Sequence, residues 1–184
     1  TTLFRSSAWL PFLPMAPVQV LTNNLLYDLS QSAIPTDRVD DEELASPRRW
    51  ETGHLARYML TMGPLSSLFD YATFAVLYWG LQVQTVAQAS VFQTGWFIES
   101  VISASAIVLV IRTRRPFVSS TPGQALALAT LAVAAFTLLL PLLPIAAPLG
   151  LTPMPLSFLT LLAVILAGYI LTAEAAKKYF YSKG

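Results

Sequence analysis

Asp28, Asp70 and Glu99 lie in stretches otherwise apolar enough for a lipid bilayer. A charged side chain at mid-bilayer costs roughly 2.5–3.5 kcal/mol on the lenient insertion scale. Such residues are therefore expected to face a bundle interior, paired or hydrated. Helical spacing groups them with other oxygen donors. In "PVQVLTNNLLYDLSQ", Asn24 and Asp28 are four apart and share a face, which Gln31 extends. Asn23 and Tyr27 form a neighbouring pair. Ser66, Ser67, Asp70 and Thr73 cluster at spacings of three and four, and Glu99 is followed by Ser100 and Ser103. Pro14 and Pro17 break the turn before the first stretch, leaving carbonyls there as potential ligands.

Carboxylates, carboxamides and carbonyls without sulfur suit a hard cation such as Mg²⁺ or Ca²⁺. Polar residues also hold membrane helices together through interhelical hydrogen bonds, an alternative open for all three acids and strongest for Asp70. There is no Cys and a single His, so thiolate metal sites, disulfides and multi-His sites within the chain are excluded. His54, Gln19 and Tyr27 read as surface or packing residues. Trp79, Tyr78 and Trp96 read as interface anchors.

The elements that must position these groups are membrane helices. The chain is 55% hydrophobic and 11% charged, against about 25% charged in a soluble domain. A span needs about 20 apolar residues, and five stretches qualify, at about 17–34, 55–81, 91–111, 124–143 and 156–173. Residues before Pro14 read as the tail of an earlier span. No alternation of strand type occurs, so the expected fold is an all-α polytopic bundle in contact with lipid. Net charge is +1, so no field favours nucleic acid.

Charge gives an orientation. Arg38, Arg48, Arg49 and Arg57 follow the first span, Arg112, Arg114 and Arg115 the third, and Lys177, Lys178 and Lys183 the fifth. The loops 82–90 and 144–155 contain no Lys or Arg. By the positive-inside rule, loops 36–56 and 112–123 and the C-terminus are cytoplasmic, with Arg5 alone outside the pattern. Loop 36–56, "TDRVDDEELASPRRWETGHLA", is either a solvated connection or a docking surface for a cytoplasmic partner. The sequence opens without Met and without signal-peptide features, so it is expected to begin inside a longer protein.

Four ordered motifs carry a resemblance: "FLPMAPVQVLTNNLLYDLSQSAIPTDRVD", "PRRWETGHLARYMLTMGPLSSLFDYATFAVLYW", "FQTGWFIESVIS" and "IRTRRPF". The first resembles the sixth membrane helix of P-type cation ATPases, and the set resembles the magnesium-translocating branch. The resemblance runs from about Pro11 to the end and is loosest in the last two spans. It implies the end of the fifth helix plus helices six to ten of such a pump, in the inner (plasma) membrane. It assigns Asn24 and Asp28 to the cation site and adds Glu99 and Asp70, with Mg²⁺ as the imported ion. It makes loop 36–56 the connection on which the phosphorylation domain docks. "DKTGT" is absent, so this chain alone is expected not to hydrolyse ATP, which would act only through domains outside it. No catalytic residue is expected. The alternatives are a stand-alone carrier or accessory subunit with a proton or cation relay, or a purely structural bundle.

Overall fold

The computed structural model describes residues 10–38 and 52–182. Arg5, Lys183 and most of loop 36–56, with Arg48 and Arg49, lie outside the described residues, as does the side chain of His54. Five long helices follow in order: α1 (Pro17–Gln31), α2 (Thr52–Ala75), α3 (Ala89–Ile111), α4 (Gln124–Leu139) and α5 (Leu156–Ser182). No strand occurs among the described residues. The all-α expectation is met.

Helix α3 is the centre. It packs against each of the other four, with α1 and α4 against one another on one side and α2 and α5 on the other. Its composition explains the position. It is apolar almost all round and buries Phe92, Phe97, Ile98, Val101, Val108 and Val110, as a helix with neighbours on every side must. Gly95 permits the closest approach: a Cβ there would lie 2.6 Å from Leu77 Cδ2 and 3.1 Å from Phe158 Cζ. Aromatic rings fill the adjoining core, with Phe74 edge-on to Trp96 at 4.8 Å and Phe12 edge-on to Phe92 at 5.5 Å.

Among the described residues, three helices are long and apolar enough to cross a membrane: Val86–Ile111, Gln124–Leu142 and Leu156–Tyr181. Helix α1 has 15 residues, roughly 22 Å at the α-helical rise, and a short 3-10 turn at Ile34–Thr36 succeeds it. Helix α2 carries Pro64 in its interior, which deprives the Leu60 carbonyl of its amide partner. It ends in a π-helical turn, Val76–Gly80. Helix α5 runs to Ser182, beyond the expected span end. Residues 10–16 are bends and extended chain rather than helix, as Pro11 and Pro14 in close succession require.

Candidate ion-binding site

Helix α1 starts at Pro17, whose missing N–H is harmless in a first turn. Gln19 then reaches back, its Oε1 accepting from the Ala16 N–H at 3.0 Å. Its Nε2 donates to the Leu149 carbonyl at 3.0 Å. Gly150, at φ +67°, turns the loop that presents this carbonyl. Gln19 is thus a fully buried fastener rather than a ligand. Asn23, one turn on, donates from Nδ2 to Ser100 Oγ at 3.0 Å. The carbonyls expected to be free before α1 are partly used: that of Leu13 accepts from Gln93 Nε2 at 2.8 Å.

The C-terminal end of α1 is fixed by a polar knot. Arg112 Nη1 donates to Asp37 Oδ2 at 2.9 Å and Nη2 to the Ser120 carbonyl at 2.6 Å. The Gly123 N–H donates to Asp37 Oδ1 at 2.6 Å. Glycine is needed there, because a Cβ would sit 3.0 Å from Asp37 Cα and from the Thr36 carbonyl. Burial works to raise the Asp37 carboxyl, but the bonds from Gly123, Arg112 and the Arg38 backbone hold it below its usual value. A lowered folded-state value stabilises the fold above the unfolded value, about 3.9. That stabilisation is lost as pH falls through the folded value. Wild-type melting temperature is therefore expected to drop on acidification below about pH 4. Asp37→Asn, weaker at neutral pH, should drop less over that window; parallel melting-temperature profiles would contradict this.

With Gln19, Leu26 and Ser30 turned inward, the opposite face of α1 carries Asn24 and Asp28. Both are exposed, among Leu21 (70% exposed) and Leu25 (60%). One carboxamide oxygen and one carboxylate therefore stand a turn apart on an otherwise apolar, unpacked face. That is a partial set of hard-cation donors.

Asp70 and Glu99 are placed elsewhere, between α2 and α3. Their carboxyl groups lie against one another. Trp96 Nε1 donates to Asp70 Oδ1 at 3.4 Å, so Trp96, buried rather than at an interface, is part of this cluster. Glu99 is 2% exposed. Its Oε2 has no hydrogen-bond partner among the described residues. Ser103 stands beside Glu99, and Ser66 beside Tyr169 of α5. Two ionised carboxyls side by side in an apolar interior repel, so the pair needs a cation or a proton between them.

The four expected residues thus form two pairs: Asn24 with Asp28 on the outside of α1, and Asp70 with Glu99 inside. Among the described residues no group of three or more His, Cys, Asp or Glu side chains converges. Sequence reasoning missed the Asn23–Ser100 link. The stripe Gln19, Asn23, Leu26, Ser30 was its available signal, since these spacings of four, three and four mark one face.

A family model described as "Cation transporting ATPase, C-terminus" matches residues 12–179. The chain is 44% identical over 179 residues to "Magnesium-transporting ATPase, P-type 1" of Escherichia coli K12 and to the protein so named in Salmonella typhimurium 14028s. A further protein of that name in Salmonella typhimurium LT2 is 37% identical over the same length. Each match covers 97% of this chain but 20% of the relative. The chain thus spans about a fifth of the length of the curated relatives it matches. A family match over residues 12–179, on a chain of long apolar helices, settles the membership: this chain belongs to the cation-transporting ATPase C-terminal family, the membrane-helical region of P-type pumps.

Proposed function

We propose that the chain is the membrane-embedded cation-transport portion of an ATP-driven P-type pump that imports Mg²⁺. The observation that carries this reading is the exposed Asn24–Asp28 pair on α1. A carboxylate is too costly to leave facing lipid, so that face is covered in the complete protein, and oxygen donors from the covering helices complete the ligand set. Mg²⁺ sheds water reluctantly and is held by one or two carboxylates plus retained waters. Two donors from α1 suit that coordination. The Asp70–Glu99 pair supplies interior charge that answers the arriving cation. The relatives' names support Mg²⁺ as the transported ion.

In this reading ATP is bound and hydrolysed by domains outside these residues, and the phosphorylation domain docks on loop 36–56. The pump sits in the cell membrane with that loop, loop 112–123 and the C-terminus cytoplasmic. Hydrolysis shifts the helices and alternately exposes the α1 face to the two sides. The complete protein in proteoliposomes is expected to move Mg²⁺ on addition of ATP. Flux of another divalent ion in its place would overturn the ion assignment, and no ATP-dependent flux would overturn the pump.

A further inference from the structure

The seam between α1 and α3 is pinned midway by Asn23 to Ser100 at 3.0 Å and at its C-terminal end by Arg112 to Asp37 at 2.9 Å. Ser30 lies seven helical residues after Asn23 and Ser105 five after Ser100, and Ser105 lies seven residues before Arg112. Helix α4 is tied to the same knot through Gly123, and Thr130 lies seven residues after it. Seven helical residues are two turns, about 10 Å. Measured from the Asn23–Ser100 bond, Ser30 and Ser105 therefore lie within about one turn of the same depth, and measured from the knot Ser105 and Thr130 lie level, on three helices that pack against one another in every pairing.

All three are buried: Ser30 is 1% exposed, Ser105 0% and Thr130 7%. None of their hydroxyl oxygens has a hydrogen-bond partner among the described residues. Other hydroxyls on the same helices satisfy themselves by bonding back four residues. Thr22 bonds the Val18 carbonyl at 2.9 Å, Thr94 that of Ser90 at 2.7 Å, and Thr137 that of Val133 at 2.7 Å. A buried polar group without a partner is costly, and natural interiors answer it with bound water.

We infer that Ser30, Ser105 and Thr130 line one interior site that binds water. Three hydroxyls give the two to four partners a buried water requires. They carry no charge, so the set fits water rather than a cation. The site lies on the inward face of α1, with Ser30, opposite to Asn24 and Asp28, and does not depend on which ion is carried.

Thr130→Val keeps shape and removes the hydroxyl, and Ser105→Ala does the same for the second partner. In the purified complete protein, each is expected to lower the melting temperature. The double variant should melt no lower than the worse single variant, because one water is lost once. A rise or no change with Thr130→Val would mean a dry, unsatisfied hydroxyl and would overturn the site. Fully additive losses would show two independent hydroxyls and would overturn the shared water. A high-resolution density map of the wild-type protein provides the direct reading. Density within hydrogen-bond reach of all three oxygens is expected, and its absence would refute the inference.

Discussion

Asp28→Asn in the complete protein is expected to reduce Mg²⁺ transport more than about 100-fold, since loss of groups that merely orient a ligand costs 10–100-fold in affinity. The readout is growth in limiting Mg²⁺ of cells that rely on this protein for uptake. The substitution has a useful asymmetry. Asn preserves size and helix compatibility, and removing a charge from a face bordered by Leu21 and Leu25 makes insertion easier. Membrane abundance should therefore hold or rise while transport fails. A folding defect would lower both together. Normal growth of the variant would remove Asp28 from the ion pathway.

The second large effect concerns Lys177, which sequence reasoning treated only as a marker of the cytoplasmic side. It is 1% exposed. Its Nζ donates to the carbonyls of Val110 and Arg115, each at 2.9 Å, and pairs with Glu174 at 2.8 Å. Val110 belongs to the last turn of α3, where carbonyls lack intrahelical partners and a cation is favoured. Lys177 thus caps α3 from α5. Lys177→Met keeps most of the apolar stem but removes the ammonium that answers the Val110 carbonyl and the Glu174 carboxylate. Removing one partner of a buried pair costs about 3–5 kcal/mol. The melting temperature of the purified protein should fall accordingly. Lys178→Met, at an exposed neighbour, should stay within about 0.5 kcal/mol of wild type. Equal behaviour of the two variants would show that the cap contributes nothing.

Much of this molecule is written locally. A deficit of charge and long apolar runs dictate membrane helices, because backbone polar groups in lipid must be satisfied within each segment. The 3.6-residue period alone puts Asn24 with Asp28 and keeps both off the Gln19–Ser30 stripe. Periodicity says which residues share a face, but not what the face meets. Asp70 and Glu99 become a pair only because α2 packs on α3. Trp96 reads as an interface anchor until Phe74 and Asp70 enclose it. Gln19 meets its carbonyl 130 residues away, Asp37 its arginine 75 away, and Lys177 the end of α3 67 away. No local signal marks such partners. A lysine near a span end looks alike whether it turns to water or to an orphaned carbonyl, and only the neighbouring helix decides. The sequence by itself determined the class of fold and the helix face that Asn24 and Asp28 share. The tertiary structure decided which polar groups are fasteners and which stay open, because that depends on contacts made across helices rather than along them.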